Sequence, residues 1–491
     1  MMYIYIILDT YRNFLQGGKI MAEYISSISN DALSILCEEL QKNNHINPDY
    51  YNRFKVKRGL RNYDGTGVLA GLTRVCSVEG YYMDDGEKVP KQGRLVYRGI
   101  NMTDIVEHCE KENRFGYEEV AWLLLFGALP TKEQLKWFTE LLSECRNLPE
   151  DFIEDMIMKA PSPNVMNKAA RSVLALYSYD PNPDDISPEN VLRQCIQLIA
   201  QMPVIMTSAY QVKRRVYDKK SMYFHQNKPG LCTAESILRS IRPNKTFTDD
   251  EAKLLDVCMI LHAEHGGGNN STFTNRCITS SGTDTYAAMA AAIGSLKGPR
   301  HGGANIKVFK MVEDMKANIQ DYTNEGQVAD YITKIMNKQA NDGSGLVYGM
   351  GHAVYTLSDP RAVILRRYAD KFSKQCGRED DFRLLNLIEE LTPELFSKHR
   401  GINKKMCANV DLYSGLVYDM LGIPQDLFTP IFMAARMAGW SAHRIEELTT
   451  GGKIIRPAYK NVTIPRDYVQ MDERIHRTNG VQAEYIPIAE R

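Results

Sequence analysis

The sequence predicts a mainly α-helical fold with a few short strands near the N-terminal end. Helical periodicity recurs through most of the chain, whereas the two best strand candidates, residues 68–78 and 94–97, both precede residue 100. The long alternation of strands and helices that is typical of Rossmann and TIM architectures is missing. The pattern therefore favours helices, rather than an α/β sheet, as the frame of the protein.

The predicted helices have an apolar face and a defined start or stop. The helix at 117–126 ends at a Gly-Ala-Leu-Pro turn, and the one at 284–296 begins at an Asp cap and ends at Gly298-Pro299. A long helix at 191–212 is interrupted by Pro203, which has no N–H to donate. The same periodicity predicts helices at 250–262, 305–317, 326–336, 360–372, 382–391, 416–421 and 431–440.

Composition narrows the class of protein. The chain of 491 residues suffices for two domains or one large domain with an insertion, and its 44% hydrophobic and 24% charged residues are typical of a soluble globular protein. The net charge of zero argues against a nucleic-acid-binding protein, although local basic pockets remain compatible with it. The ten cysteines form no Cys-x-x-Cys pair, which favours reduced thiols over a zinc or redox motif.

No apolar run is long enough to span a membrane. The apolar start at residues 1–8 is about two turns long, and it lacks the basic region and cleavage site of a secretory signal. Met21 is an alternative initiator, in which case the first residues are an upstream extension. We expect a cytoplasmic protein that acts on neither membranes nor nucleic acid.

Three glycine-flanked segments, residues 262–268, 298–305 and 349–352, hold four of the ten histidines. Glycine lets the backbone approach a ligand closely, and histidine supplies a donor, an acceptor or a proton near neutral pH. Together they indicate a small-molecule site with acid–base or hydrogen-bonding chemistry. The glycine-rich stretch 341–352 either wraps a nucleotide-like cofactor or is a flexible loop, since it matches neither G-x-G-x-x-G nor a P-loop.

His301 and Asp411 are candidates for proton transfer. His301 precedes a predicted helix, whose dipole would keep the imidazole neutral and able to donate to a carbonyl oxygen that gains negative charge. Asp411 would act as a general base in an apolar setting that raises its pKa. The alternative is that both are capping or loop residues at the start of a helix.

Arg361, Arg436 and Arg456 stand in mixed or apolar surroundings. Arg436 lies inside the apolar helix predicted at 431–440, where a guanidinium needs a carboxylate or phosphate partner. That partner is either an internal Glu or a di- or tricarboxylate substrate. The pair His262 and His265 could share a helix face and bind a metal, but it fits neither H-E-x-x-H nor H-x-x-E-H and no third ligand is placed, so no metal site is predicted.

Taken together, these segments resemble the motifs of the citrate synthase family. Residues 298–305 (GPRHGGAN) are similar to its first catalytic-histidine motif, and residues 349–355 (GMGHAVY) with 359–361 (DPR) are similar to the second. The catalytic-aspartate motif and the His-x-x-His segment resemble residues 409–411 (NVD) and 262–265 (HAEH), with supporting matches at 95–100 and 118–127. The motifs follow the family's order and cover about residues 55–460.

The resemblance implies a two-domain helical enzyme that works as a homodimer. Residues 1–54 would be an N-terminal extension with a first helix, 55–303 with 422–491 a large domain, and 304–421 a small mobile domain that closes the cleft. The implied reaction is a Claisen-type condensation of acetyl-CoA with oxaloacetate, followed by hydrolysis of citryl-CoA to citrate and CoA. No permanently bound cofactor is implied, and acetyl-CoA serves as co-substrate.

The resemblance also implies a role for each site residue. Asp411 would remove a methyl proton from acetyl-CoA, His301 would hydrogen-bond the thioester oxygen, and His352 would protonate the oxaloacetate ketone. The oxaloacetate carboxylates would be held by His265, Arg361, Arg436 and, from the other subunit of the dimer, Arg456. CoA would contact the loop of Leu346, Val347, Tyr348, Gly349, Met350 and Gly351.

Some positions depart from the family pattern, and other activities remain open. Ala353 and Thr356 stand where many bacterial members have cations, Arg300 replaces a commonly apolar residue, and Glu264 stands where Asp is common. The nearest alternative is 2-methylcitrate synthase, because one extra methylene in propionyl-CoA is worth about 1–3 kcal/mol of discrimination. Citryl-CoA cleavage would use the same residues. A non-catalytic sensor on the same fold and a metal-dependent hydrolase are more distant alternatives.

Overall fold

The computed structural model describes residues 29–43, 46–401, 405–463 and 465–473. The chain divides into two compact units, residues 69–456 on the one hand and residues 1–68 with 457–491 on the other. The apolar start at 1–8 and the alternative initiator Met21 lie outside the described residues. The division into a large domain and a small mobile domain stays a prediction. All site residues predicted from the sequence belong to the 69–456 unit.

The mainly helical fold predicted from the sequence is confirmed. The described helices are α1 Asn30–Asn43, α2 Asp49–Arg53, α3 Met102–Lys111, α4 Tyr117–Phe126, α5 Lys132–Glu144, α6 Val165–Leu176, α7 Pro188–Val216, α8 Thr233–Ile241, α9 Asp249–His262, α10 Asn270–Thr279, α11 Thr285–Leu296, α12 Ala304–Asn318, α13 Glu325–Met336, α14 Pro360–Cys376, α15 Glu379–Arg400, α16 Val410–Met420 and α17 Phe428–Thr449. Shorter helical segments are Arg58–Leu60, Ile153–Met158, Tyr177–Tyr179, Gln425–Leu427 and Met471–Glu473.

Three antiparallel strands, β1 Cys76–Asp84, β2 Glu87–Tyr97 and β3 Ile100–Asn101, form a small sheet. β1 and β2 form a long hairpin, which turns at Asp85 and Gly86, both with positive φ. The strand candidate at 94–97 is confirmed inside β2. The candidate at 68–78 is strand in its last three residues alone, and its earlier part is irregular chain with a bend at 74–75.

The predicted interruption at Pro203 is wrong. Helix α7 runs without a break from Pro188 to Val216, with Pro203 inside it. Thr207 donates a hydrogen bond from Oγ1 to the Pro203 carbonyl at 2.8 Å. Residues 198–203 and 205–212 of α7 are buried, and the helix packs on α6, α8 and α17. Tertiary packing therefore outweighs the loss of one backbone hydrogen bond.

Helix α17 is buried along most of its length and positions much of the site. It packs against α4, α7, α9, α10 and α11. At Gly439 a Cβ atom would lie 2.4 Å from the Ala263 carbonyl oxygen, so glycine is required for α17 to approach the turn after α9 this closely. The turn carries His265, and α17 carries Arg436. Within the described residues, no helix is both long and apolar enough to cross a membrane.

Candidate active site

The three glycine-flanked histidine segments lie close together, two of them against Phe432 of α17 and the third against His265. The rings of His262 and His301 lie 4.4 and 6.4 Å from the Phe432 ring, measured between centroids. The rings of His265 and His352 are 5.1 Å apart and nearly perpendicular. The fold thus places side by side four histidines that are spread over ninety residues of sequence.

His301 is held through a side chain that the sequence analysis did not single out. Its Nε2 lies 3.0 Å from the Ser271 hydroxyl, which also accepts a hydrogen bond from Trp440 Nε1 at 3.2 Å. Burial, reinforced by the nearby Arg436 guanidinium, lowers the pKa of His301 to about 4. The imidazole is therefore neutral at physiological pH, and its ring is fixed by a fully buried hydroxyl.

Two backbone N–H groups determine the proton position on His352. Its Nδ1 accepts hydrogen bonds from the backbone N–H groups of Val354 and Tyr355, at 3.0 and 3.2 Å. A neutral imidazole whose Nδ1 is an acceptor carries its proton on Nε2. The Tyr355 ring stacks on the imidazole with centroids 4.7 Å apart. The ring is therefore oriented so that Nε2 is its hydrogen-bond donor.

Asp411 is brought to the site by pairing between two loops. The Gly351 N–H donates to the Cys407 carbonyl, and the Asn409 N–H donates to the Gly349 carbonyl, both at 2.8 Å. Asn409 is the N-cap of α16, since its Oδ1 accepts a hydrogen bond from the Asp411 N–H at 3.0 Å. Asp411 is therefore a first-turn residue rather than the cap, and the pairing holds the start of α16 against the backbone that precedes His352.

The environment of Asp411 disfavours its charged form. Burial raises the pKa of Asp411 to about 7, an effect that the Arg361 guanidinium partly offsets. Among the described residues, no group donates a hydrogen bond to this carboxylate. A carboxylate that is desolvated and lacks donors is a stronger base than one in water. The geometry thus supplies the apolar setting that a general base at this position requires.

Arg436 is a buried arginine with unused hydrogen-bonding capacity. Its Nε donates to the His262 carbonyl at 2.7 Å, and its guanidinium lies over the Phe432 ring at 4.7 Å. Nη1 and Nη2 have no hydrogen-bond partner among the described residues, although the side chain is fully buried. No Glu in the described chain forms a hydrogen bond or ion pair with these two nitrogens, although the Glu264 carboxylate lies near enough to oppose the lowering of the Arg436 pKa by burial. These donors favour an anionic ligand.

Arg361, by contrast, has an internal carboxylate partner. Its Nε and Nη2 donate to the two oxygens of Asp359 at 3.0 and 2.8 Å, and both residues are buried. Asp359 also caps α14 through the Arg361 N–H. Asp359 belongs to the Asp-Pro-Arg motif at 359–361, but no role for it was predicted from the sequence. Arg361 is fixed in place, so any ligand would meet a guanidinium that is already oriented.

Arg456 and part of the predicted CoA loop lie at the surface. Arg456 is exposed on extended chain after α17, and no hydrogen bond or ion pair joins it to another residue in the described part of the chain. The predicted CoA loop is partly exposed, with Leu346 at 57%. Just before this loop, the exposed Asp342 accepts hydrogen bonds from Lys307 Nζ and the Tyr348 hydroxyl, at 2.8 and 2.7 Å. Because Lys307 lies on α12, these hydrogen bonds connect the loop to that helix.

A buried polar network supports the turn that carries His265. His443 on α17 donates from Nε2 to a Glu264 oxygen at 3.0 Å, because its Nδ1 accepts from Arg276 at 2.7 Å. Glu264 in turn accepts a hydrogen bond from the Gly266 N–H. Burial lowers the pKa of His265 well below its usual value, and its Nε2 has no partner among the described residues. Neither His443 nor Arg276 was singled out from the sequence: His443 is 178 residues after His265, and Arg276, 11 residues after it, stands in no motif.

The fold and the site together define a class of protein. It is a helical enzyme in which a carboxylate with a raised pKa, neutral imidazoles and an unpaired buried guanidinium surround one region. Such a set is suited to proton abstraction next to a carbonyl group in an anionic substrate, with developing negative charge stabilised by neutral donors.

Comparison with known proteins gives the family. The family model for the citrate synthase C-terminal domain matches residues 62–458. The citrate synthase of Synechocystis sp. is 34% identical over 414 residues, covering 83% of this chain and 93% of the relative. The 2-methylcitrate synthase 1 of Corynebacterium glutamicum is 30% identical and covers 86% of this chain and 99% of the relative. The chain belongs to the citrate synthase family, an enzyme family of the acyltransferase type.

Solved structures agree with this assignment. The crystal structure of citrate synthase from Thermotoga maritima superimposes with a TM-score of 0.67 at 26% identity, over 86% of this chain and all of the other. The Thermoplasma acidophilum enzyme, in a complex with carboxymethyl coenzyme A and oxaloacetate, superimposes with a TM-score of 0.70 at 24% identity and shows the same fold. The family, the enzyme class and the helical fold predicted from the sequence are confirmed.

Proposed function

We propose that this protein is a citrate synthase, which condenses acetyl-CoA with oxaloacetate and hydrolyses the resulting citryl-CoA. The observation that carries the proposal is the combination of Asp411, whose pKa is raised to about 7, with the neutral His301 and the unpaired guanidinium of Arg436. A binding protein would need the guanidinium, but it would not need a desolvated base.

In the first step, the Asp411 carboxylate removes a methyl proton from acetyl-CoA. At the same time, His301 hydrogen-bonds the thioester oxygen, so that an enol forms and a free enolate is avoided. In the proposed tautomer, Ser271 donates to Nε2 of His301, and the ring presents its Nδ1–H to the thioester. Because His301 is neutral, it stabilises the developing charge without adding a full positive charge to the buried site.

In the second step, the enol attacks oxaloacetate while Nε2–H of His352 protonates the ketone oxygen. His265, Arg361 and Arg436 hold the oxaloacetate carboxylates, and the partner subunit supplies Arg456 in a homodimer. CoA lies along residues 346–351, and residues 304–421 close over the substrates to exclude water. Hydrolysis of the citryl thioester releases citrate and CoA, and no permanently bound cofactor takes part.

The test is thiol release by the purified protein with oxaloacetate and either acetyl-CoA or propionyl-CoA. We expect a higher kcat/KM with acetyl-CoA. A preference for propionyl-CoA would support 2-methylcitrate synthase instead, a function favoured by the 30% identity to a relative with that name. No thiol release from folded protein with either substrate would contradict both proposals.

The pH dependence of kcat/KM should have an acid limb with an apparent pKa of about 7. Below that pH, Asp411 is protonated and cannot accept the methyl proton, so kcat/KM falls about tenfold per pH unit. His301, with a pKa of about 4, does not titrate in this range. The measurement is kcat/KM for acetyl-CoA between about pH 5.5 and 8.5. A flat profile across that range would contradict Asp411 as the base.

A further inference from the structure

The β1–β2 hairpin packs directly against the loop that follows His352. The Gly93 N–H donates to the Ser358 hydroxyl at 3.0 Å, and that hydroxyl donates to Gln92 Oε1 at 2.5 Å. These bonds join β2 to residues that lie between His352 and α14. The loop from 351 to 358 contains no helix or strand, so its backbone depends on such contacts.

Two glycines make this contact possible. A Cβ atom on Gly80 would lie 2.6 Å from the Val354 carbonyl oxygen, and one on Gly93 would lie 2.0 Å from the Ser358 carbonyl oxygen. The obstructing atoms belong to the backbone, so a side-chain rotation cannot relieve either clash. Neither glycine has a positive φ. Glycine is therefore required at both positions for space and not for an unusual backbone conformation.

One peptide unit, that between Val354 and Tyr355, contacts both Gly80 and His352. The Val354 carbonyl that faces Gly80 belongs to the same planar peptide as the Tyr355 N–H. That N–H donates to Nδ1 of His352 at 3.2 Å, and the Tyr355 ring stacks on the imidazole. Any displacement of the peptide by a side chain at position 80 therefore moves the group that orients the imidazole.

We propose that Gly80 and Gly93 are positioning residues, through which the hairpin fixes the 354–358 backbone and hence the orientation and tautomer of His352. The inference rests on the proposed function, in which His352 protonates the ketone. Neither glycine touches a substrate. A misplacement of about 1 Å in a reacting group can cost about 10²-fold in rate, so a small shift of this peptide suffices for a large effect.

The experiment compares Gly80→Ala with Gly71→Ala, a matched control. Gly71 has open space around its Cβ position and no positive φ, and it precedes the same hairpin. We expect Gly80→Ala to lower kcat by about 10²-fold, with KM for acetyl-CoA within about twofold of wild type, and Gly71→Ala to behave as wild type. Wild-type kcat in folded Gly80→Ala protein would overturn the proposal.

Two further measurements keep the proposal testable if Gly80→Ala does not fold. Ser358→Ala adds no volume and removes the acceptor of the Gly93 N–H, and we expect a smaller decrease in kcat, about two- to tenfold.

The ¹⁵N chemical shifts of His352 report its tautomer without any substrate. They should show protonated Nε2 in the wild type and an altered signal in Gly80→Ala or Ser358→Ala. Unchanged shifts would overturn the positioning role, whereas absent thiol release in the wild type would overturn the proposed function.

Discussion

Replacement of Asp411 by asparagine is expected to lower kcat by about 10²–10⁴-fold while oxaloacetate affinity stays within a few-fold of wild type. The amide has nearly the same volume but cannot accept the methyl proton, and Asp411 is not among the proposed carboxylate ligands. Thiol release gives kcat, and calorimetric titration with oxaloacetate gives the affinity. Turnover close to wild type would contradict the proposed mechanism.

Asp419 offers a matched control on the same helix. It lies eight residues after Asp411 on α16, and its carboxylate accepts a hydrogen bond from Arg378 Nη2 at 2.9 Å. Asp419 and Arg378 are both partly exposed, and surface ion pairs of this kind contribute about 0–1 kcal/mol to stability. Asp419→Asn should therefore leave kcat unchanged. Similar losses in both variants would indicate a general effect on α16 and not the loss of a base.

The Asp411→Asn substitution should also change the stability of the fold in a pH-dependent way. In the folded protein the pKa of Asp411 lies at about 7, above its ordinary value of 3.8, so the fold binds the proton more tightly than the unfolded chain does. The contribution of this residue to the free energy of unfolding therefore falls as the pH rises from about 4 to 7. Asp411→Asn removes this loss, and its Tm should exceed that of wild type at about pH 8 by more than at pH 5.

The fold was predictable where local signals determine an element. Helix α4 matches its predicted bounds because an apolar run ends at Gly127, whose left-handed conformation closes the helix. Pro203 was misread because a proline signals a break locally, whereas here burial of both faces keeps α7 continuous. The start of β1 was missed because the exposed, irregular chain at 69–74 contains apolar residues that also occur in strands. These errors arise where tertiary contacts, and not local propensity, decide the outcome.

For the site, the sequence supplied candidate residues but not the contacts that hold them. The Asp359–Arg361 pair is two residues apart and was within reach of local reasoning, since Asp before Pro is a common helix start. Ser271 is thirty residues from His301 and 169 from Trp440, and nothing in one sequence places the three together. The raised pKa of Asp411 likewise depends on burial by elements distant in sequence, which one sequence does not reveal.

Replacement of Arg436 by methionine is expected to raise KM for oxaloacetate by about 10²–10⁴-fold, because two charge-assisted hydrogen bonds from Nη1 and Nη2 would be lost at about 1.5–3 kcal/mol each. The stability of the ligand-free protein should change little. The variant loses the bond to the His262 carbonyl, but it also removes two buried donors that lack protein partners. Steady-state kinetics and thermal unfolding with and without oxaloacetate measure both effects.

Arg444 provides the contrast that separates binding from structure. It is buried on α17, eight residues after Arg436, but its Nε, Nη1 and Nη2 all donate to protein oxygens, those of Thr285, Thr279 and Thr283, at 2.8–3.1 Å. Arg444→Met should therefore lower Tm and leave KM for oxaloacetate unchanged, the reverse of Arg436→Met. Oxaloacetate should raise the Tm of Arg444→Met but not that of Arg436→Met, since a ligand stabilises a fold only as far as it binds. If Arg436→Met instead lost stability and kept its affinity, its guanidinium would be part of the core and the carboxylate-binding role would be wrong.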